Sequence, residues 1–143
     1  MSADSAAHEV STDKSRLDIT LIHRYLSQES YWAKNIPLDV VQRSIDNSLC
    51  FGIYQVSHQV GFARVITDQA TFAYLADVFV LPEHRGRGLA KQLLNVISNW
   101  PTLQGLRRWM LATNDAHALY RQFGFAALDQ PDLIMHRKRG QPY

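Results

Sequence analysis

The sequence predicts an α/β fold in which a mixed, mostly antiparallel central sheet carries helices on both faces. Three observations predict it. The elements follow the order helix, helix, three strands, helix, strand, helix and two strands. Two of the first three strands form a hairpin, which makes that part of the sheet antiparallel. The strand at residues 71–81 is apolar almost throughout, as expected for a strand covered on both faces. Such elements stack as a sheet between two helical layers.

The first half of the chain supplies two helices and three strands. Apolar residues recur at helical spacing after Asp18, which suits an N-cap, and Pro37 suits the first turn of the second helix. Two runs of β-branched and aromatic residues flank a short polar turn, which predicts the hairpin. The predicted helices are residues 18–29 and 37–47, and the predicted strands are residues 49–56, 60–67 and 71–81.

The second half begins with an amphipathic helix bounded by Pro82 and Pro101, whose apolar residues share one stripe. A short helix follows later, and Gly124 suits its C-terminal cap. The other elements predicted here are a strand at residues 107–112, that short helix at residues 115–123, and two final strands at residues 125–128 and 133–137.

Composition indicates an ordinary globular protein with a single domain. With 143 residues, the chain forms a sufficient core without disulfides or metal. We expect residues 1–10 to be flexible and residues 11–143 to form the domain. The lone cysteine, Cys50, fits a reducing cytoplasm, and no segment resembles a signal peptide or a membrane span. Residues 1–60 carry five basic and seven acidic side chains, whereas residues 61–143 carry ten and six, so the second half suits an anionic ligand.

The feature that indicates a ligand is a glycine-rich turn between the strand at residues 71–81 and the following helix. Backbone N–H groups at a helix start attract phosphate, and Arg85 and Arg87 add positive charge. The turn matches neither GxxxxGK[ST] nor GxGxxG. Arg85, Gly88 and Ala90 instead occupy positions one, four and six of [QR]-x-x-G-x-[GA]. The sequence therefore predicts a site for a phosphorylated cofactor. The alternative is that the glycine-rich turn is only a tight connection between the strand and the helix.

Two motifs resemble the GNAT superfamily of acyl-CoA-dependent N-acetyltransferases. VFVLPEHRGRGLAKQLL is similar to the central motif of that family, and ATNDAHALYRQFGF is similar to its C-terminal motif. The order of elements matches from about residue 10 to residue 138. The resemblance implies a splay between the fourth and fifth strands. It also implies that acetyl-CoA binds with its pantetheine arm on one strand edge and its pyrophosphate on the turn, at Val78, Phe79, Val80, Arg85, Gly86, Arg87, Gly88, Leu89, Ala90 and Lys91.

The C-terminal motif implies a role for Tyr120. Ala116, Leu119, Tyr120 and the following Gly-Phe pair are in register with the family pattern, whose tyrosine protonates the departing CoA thiolate. A phenol is a neutral donor at pH 7, which suits this role. The alternative is a core tyrosine, because Tyr120 lies on the apolar stripe. Thr113 stands where the family has asparagine, and its hydroxyl can cap the helix and contact the cofactor.

Asp77 is the second catalytic candidate. The resemblance places it one residue before the pantetheine-binding segment, where several members carry an acidic group that faces the acceptor amine. A carboxylate can take the proton of an ammonium, directly or through water. The alternative is an ion pair with Arg64 on the neighbouring strand. The resemblance also assigns Tyr31 and Trp32 to the acceptor pocket, and two core aromatic residues are the alternative.

The function predicted from these residues is direct transfer of acetyl from acetyl-CoA to a primary amine of a small molecule, with Tyr120 and Asp77 as catalytic groups. A protein or peptide N-acetyltransferase and a non-catalytic acyl-CoA sensor remain as alternatives. The six histidines show no metal-ligand spacing, so no metal is expected. Nucleic acid is not an expected partner, because the basic run at residues 137–139 has no interleaved aromatic residues, and a membrane is not expected, because no stretch has the apolar length of a membrane span. A homodimer is left open.

Overall fold

The computed structural model describes residues 7–143, which form a five-stranded sheet in the order β1-β2-β3-β4-β5. Strands β1 to β4 are antiparallel to their neighbours, and β5 runs parallel to β4. The strands are β1 His8–Ser11, β2 Leu49–Gln55, β3 His58–Thr67, β4 Phe72–Val80 and β5 Arg108–Met110. The helices are α1 Ile19–Arg24, α2 Leu38–Asp46, α3 Leu89–Ser98 and α4 His117–Arg121.

Two apolar clusters hold helices on opposite faces of the sheet. Helix α3 packs Leu93, Leu94 and Ile97 against one face, where Phe51 and Val65 of β2 and β3 are buried. Helices α1 and α2 cover the other face, with a core that contains Ile22, Leu26, Val41, Ile45 and Phe62. Phe62 of β3 enters one cluster and its neighbour Ala63 enters the other, because successive side chains of a strand point to opposite faces. The predicted mixed sheet with helices on both faces is confirmed.

Helix α1 continues into one π-helical turn, Tyr25–Glu29, in which Tyr25 and Leu26 are buried. Its end is fixed by Ser30, which is only 1% exposed. The Ser30 hydroxyl donates to the Leu26 carbonyl at 2.6 Å and accepts from the Ala33 N–H at 3.0 Å. π-Turns are frequent at functional sites, because they reposition the residues that follow. Here those residues are Tyr31 and Trp32.

Strand β4 has a bulge and an open edge. Its register with β3 shifts between the pairs Arg64–Ala76 and Phe62–Phe79, which leaves an extra residue in β4. Asp77 lies in this bulge with φ of 55°. Strand β5 pairs only with residues 72–74, so within residues 7–143 no strand pairs with the remainder of β4 on that side. The splay implied by the family resemblance is therefore present.

The two ends of the chain differ from the sequence predictions. Residues 1–6 lie outside the described residues, but His8–Ser11 pairs with β2 as an edge strand that the sequence analysis does not predict. The predicted flexible segment, residues 1–10, is thus wrong for residues 8–10. The predicted strands at residues 125–128 and 133–137 are also not formed, because this segment pairs with no strand of its own chain. Among residues 7–143, no helix is long and apolar enough to cross a lipid bilayer.

Candidate active site

A cavity of about 510 Å3 lies where β4 and β5 diverge. Its walls come from the connection between α1 and α2, from α2, β3 and β4, from the loop between β5 and α4, from α4, and from Tyr143. The cavity is lined by Tyr31, Trp32, Ala33, Ile36, Val40, Ser44, Arg64, Tyr74, Leu75, Ala76, Asp77, Val78, Ala112, Thr113, Asn114, Asp115, Ala116, Tyr120 and Tyr143. Six of the residues predicted from the sequence are therefore together in one cavity, namely Tyr31, Trp32, Asp77, Val78, Thr113 and Tyr120.

Tyr120 reaches the cavity from α4. Its ring packs edge to face against Phe125 at a centroid distance of 6.0 Å, whereas its hydroxyl has no hydrogen-bond partner within residues 7–143. Burial raises the pKa of Tyr120 to about 12, and nearby Tyr31 and Asp115 act in the same direction. The phenol is therefore fully protonated at neutral pH. The group at this position is a neutral O–H donor that faces the cavity.

Asp77 is held from two sides. Its Oδ2 accepts from Arg64 Nε at 2.8 Å, and its Oδ1 accepts from Trp32 Nε1 at 2.8 Å. Arg64 also donates from Nη1 to the Ser48 hydroxyl at 3.1 Å. The side chains of Arg64 and Asp77 are only 15% and 10% exposed, so their charges compensate each other away from bulk water. The ion pair that the sequence left as an alternative is formed, and it fixes the carboxylate beside the cavity.

Tyr31 and Trp32 form the outer wall of the cavity. Their rings are edge to face at 5.0 Å, and they are 49% and 41% exposed. The Tyr31 hydroxyl accepts from the Asn114 N–H at 2.9 Å, a bond that joins the α1–α2 connection to the loop before α4. The two aromatic residues thus bridge both sides of the splay. Neither one belongs to either of the two buried clusters, which was the alternative.

The glycine-rich turn at the start of α3 leaves its backbone open to solvent. Gly86 and Gly88 have φ of 80° and 74°, a region that other residues adopt only with strain, and Gly88 is the N-cap of α3. A Cβ built on either glycine has no atom within 4 Å, so open space lies above this backbone. Exposed helix-start N–H groups under open space fit the pyrophosphate of CoA.

The sequence predicts that Arg85 and Arg87 add positive charge for a phosphate, but in the structure both side chains contact protein groups. Arg85 Nε donates to the Val80 carbonyl at 3.0 Å, and its Nη2 donates to the Tyr25 hydroxyl at 2.8 Å. Its guanidinium is thus tied to the protein. Arg87 Nη1 lies 3.3 Å from His84 Nδ1 at the exposed surface. Of the remaining predicted residues of this motif, Leu89 is buried in the core, Ala90 is half-buried, and Lys91 is exposed.

The open edge of β4 offers fewer backbone groups than the sequence suggested. The Leu81 N–H donates to the Val60 carbonyl on β3, so by alternation the backbone groups of Val80 face the opposite, open edge. The Val80 carbonyl on that edge is already bonded to Arg85. Phe79 is 4% exposed and stacks on Tyr25 at 4.0 Å. Val78 and the Val80 N–H therefore remain for a ligand that pairs with this edge.

The prediction that Thr113 caps α4 is wrong, because the N-cap of α4 is Ala116 and Thr113 lies in the loop before it. Thr113 Oγ1 accepts from the N–H groups of Asp115 at 3.3 Å and Ala116 at 3.1 Å. The sequence analysis did not find Ser48, Asn114 or Tyr143, which bond to site residues or line the cavity. No spacing rule could have found Ser48 and Tyr143, because they lie far along the chain from the motifs, and the Asn114 contact is made by its backbone N–H. Across residues 7–143, no group of three or more side chains could hold a metal ion.

A sheet that splays beside a glycine-rich turn at a helix start, with a tyrosine hydroxyl in the resulting cavity, is the arrangement expected of a CoA-dependent acyltransferase. Comparisons with known proteins agree. The sequence model of the acetyltransferase (GNAT) domain matches residues 46–127. The chain therefore belongs to the GNAT family of acetyltransferases.

Individual relatives support this assignment. A Xanthomonas campestris GNAT-family acetyltransferase of known crystal structure is 59% identical, with a TM-score of 0.92 over 93% of this chain and 94% of its own. A Gibberella zeae protein named as an acetyltransferase is 36% identical over 133 residues, which covers 78% of this chain and 74% of the relative. The aminoglycoside N-acetyltransferase AAC(6')-Iy, solved in complex with CoA, shares the fold at 22% identity, with a TM-score of 0.63 over 93% of this chain and 95% of its own.

Proposed function

We propose that this acetyltransferase transfers the acetyl group of acetyl-CoA directly to a primary amine of a small molecule. The observation that carries the proposal is that one cavity contains the open edge of β4, the free hydroxyl of Tyr120 and the carboxylate of Asp77. A donor on the β4 edge and an amine beside Asp77 would meet in that cavity. The cavity volume of about 510 Å3 is within the range of small-molecule sites, roughly 300–1,000 Å3.

The donor site consists of the turn and the strand edge. The N–H groups of residues 85–91 would bind the pyrophosphate, and Val78 and the Val80 N–H would pair with the pantetheine arm. Thr113 has a hydroxyl proton left for the same arm, because its oxygen acts as an acceptor for the N–H groups of Asp115 and Ala116. When bound, acetyl-CoA supplies an activated thioester carbonyl. The protein aligns that carbonyl with the amine.

Asp77 would prepare the acceptor. Each carboxylate oxygen accepts one hydrogen bond from the protein and keeps a second lone pair for an incoming ammonium. Loss of one ammonium proton to Asp77, directly or through water, frees the nitrogen lone pair. That lone pair forms the C–N bond as the C–S bond breaks. The nitrogen then loses its second proton, and the net products are the amide, the free thiol and one proton.

Tyr120 would assist the departing sulfur. Its O–H first donates a hydrogen bond to the thiolate and then its proton. The proton released by the nitrogen restores the phenol, so the tyrosine is unchanged after each turnover. The unpartnered hydroxyl supports this role, because a donor without a protein partner is free to bond to a ligand.

The aromatic walls favour an amine that is cationic in solution. Tyr31, Trp32 and Tyr74 present ring surface to the cavity, and aromatic faces attract ammonium groups. Asp115, exposed at the rim, adds a negative charge. The structural relative AAC(6')-Iy acts on aminoglycosides, which are small-molecule amines of this kind. Arg64, the partner of Asp77, also lines the cavity and carries a positive charge, so only part of the cavity wall is negative.

The test combines donor binding with turnover. Binding of acetyl-CoA is measured by calorimetry, and release of free thiol is measured over a panel of polyamines, aminoglycosides, aryl-alkyl amines and a lysine-containing peptide. We expect turnover of at least one small amine, with a higher kcat/KM than the peptide. Donor binding without turnover of any amine would instead indicate the acyl-CoA sensor. A preference for the peptide would indicate a protein N-acetyltransferase.

A further inference from the structure

Trp32 is held at the outer wall of the cavity by a hydrogen bond more than by burial. Its indole N–H donates to Asp77 Oδ1 at 2.8 Å, although the residue is 41% exposed. The ring contacts Tyr31 edge to face at 5.0 Å and belongs to neither of the two buried clusters. Because so little packing fixes its rotamer, the bond to Asp77 is a main constraint on where the indole lies.

The backbone that carries Trp32 is anchored on both sides of this residue. Ser30 precedes it, and the buried Ser30 hydroxyl donates to the Leu26 carbonyl at 2.6 Å. Ala33 follows it, and its N–H donates to the same hydroxyl at 3.0 Å. The indole therefore projects towards Asp77 from a fixed segment, as a group that orients another side chain must.

The two oxygens of the Asp77 carboxylate have partners of different charge. Oδ2 accepts from the guanidinium of Arg64, and Oδ1 accepts from the neutral indole N–H of Trp32. A proton on Oδ2 would lie beside a positive charge and weaken a charge-assisted bond. A proton on the second lone pair of Oδ1 would leave the ion pair intact. The oxygen better suited to accept a proton is thus the one that Trp32 holds.

The indole also fixes the plane of the carboxylate. The Cβ–Cγ torsion of an aspartate is broad, so a donor on one oxygen alone leaves the other oxygen free to turn. Arg64 and Trp32 supply one donor to each oxygen, and the backbone of Asp77 is held in the bulge of β4 with φ of 55°. Without the indole N–H, Oδ1 has no other hydrogen-bond donor within residues 7–143. Its free lone pair would then have no fixed direction.

We propose that Trp32 is a positioning residue, whose indole N–H directs Oδ1 of Asp77 at the acceptor amine. This inference rests on the proposed role of Asp77 as the base. The proton of the ammonium forms an O–H bond with Oδ1, and the electrons of the broken N–H bond remain on the nitrogen as the attacking lone pair. The indole keeps its own proton throughout. Its ring contacts the carbon skeleton of the amine, so Trp32 contributes to amine affinity through the ring and to the rate through the N–H.

Two substitutions separate these contributions. Trp32→Phe keeps an aromatic ring and removes the N–H donor, whereas Trp32→Gln keeps an N–H donor and removes the ring. We expect Trp32→Phe to lower kcat about tenfold and to change the KM for the amine by less than about threefold. Trp32→Gln should raise that KM about tenfold and keep kcat within about threefold of the wild type.

Trp100→Phe is the matched control for the loss of an indole. Trp100 packs edge to face on Phe51 at 5.2 Å and does not line the active-site cavity, so this variant should keep both constants. Circular dichroism checks that all three variants are folded. An unchanged kcat for Trp32→Phe, or an equal loss of kcat in the two Trp32 variants, overturns the inference. An absence of turnover by the wild type with every amine overturns the proposed function and this inference with it.

A second measurement detects the bond without turnover. The chain has three tryptophans, so nitrogen-labelled protein gives three indole N–H signals in a proton–nitrogen correlation spectrum. The signal that disappears in Trp32→Phe belongs to Trp32. In Asp77→Asn the indole loses a charged acceptor, so this signal should move upfield while the Trp100 and Trp109 signals stay in place. A Trp32 signal that does not move in Asp77→Asn also overturns the inference, because the indole then does not hold the carboxylate.

Discussion

Replacement of Tyr120 by phenylalanine removes one O–H group and little else. The ring contact with Phe125 is kept, and the hydroxyl has no hydrogen-bond partner within the described chain, so no protein group is left unsatisfied. We therefore expect the folding stability of Tyr120→Phe to match that of the wild type. Any loss of activity then reports on the reaction.

The expected loss of kcat follows from the pKa of the phenol. General acid catalysis contributes roughly 10²–10⁴ in rate. The pKa of about 12 for Tyr120 lies well above the value of ~8.5 that is typical of a thiol, so early proton transfer to the sulfur is unfavourable. The main contribution is then a hydrogen bond to a charged group, about 1.5–3 kcal/mol. At about 1.4 kcal/mol per tenfold, kcat should fall on the order of 10- to 100-fold.

The assay is steady-state release of free thiol, with Tyr74→Phe as the control. Tyr74 is a second half-buried phenol that lines the same cavity, and its loss should change kcat by less than about threefold. The KM for acetyl-CoA should stay constant in both variants. An unchanged kcat for Tyr120→Phe, or an equal loss for Tyr74→Phe, refutes the assigned role. Because burial keeps Tyr120 protonated, the wild-type kcat should also show no alkaline decline caused by this group up to about pH 10.

Three further predictions concern the ion pair, the turn and the core. Asp77→Asn and Arg64→Gln should each destabilise the fold by about 3 kcal/mol, because each leaves the charge of the other residue mostly buried and without its partner. The double variant should regain stability but not kcat, and a regained kcat would show that Asp77 has only a structural role. Gly88→Ala and Gly105→Ala should each lower the free energy of unfolding by about 1–2 kcal/mol in thermal unfolding, because both glycines have positive φ. Only Gly88→Ala should raise the KM for acetyl-CoA, by about tenfold, and equal KM values for the two variants would contradict the phosphate site. Tyr54→Phe should stabilise the fold by about 1 kcal/mol in urea unfolding, because its buried hydroxyl has no partner, and a loss of stability would argue against this.

Local patterns were sufficient to predict most of the fold. The α2 helix, the β2–β3 hairpin and the α3 helix follow from apolar periodicity and from prolines that restrict where helices begin and end. Strand β1 could not be predicted, because His8–Ser11 has no apolar pattern and is a strand only through its pairing with β2. The final strands failed for the same reason, since an apolar run becomes a strand only where an edge accepts it.

The active site was predictable in its residues but not in its bonds. The motif positions of Val78, Thr113 and Tyr120 placed them in one cavity, together with Asp77. The hydrogen bond from Trp32 to Asp77 joins residues far apart in sequence, and no composition or spacing indicates it. The hydrogen bond between Arg85 and Tyr25 could not be predicted either, because a basic residue beside glycines indicates phosphate binding and gives no sign of a bond to a helix.

The bonds of Arg85 connect two regions of the site. Its guanidinium holds the end of β4, where the donor would bind, and the π-helical turn through Tyr25, which leads to Trp32 at the acceptor wall. A movement of the end of β4 on donor binding would therefore reach Trp32 through Arg85 and Tyr25. Affinity for the amine and affinity for the donor would then be linked, and each ligand would change the dissociation constant of the other by the same factor.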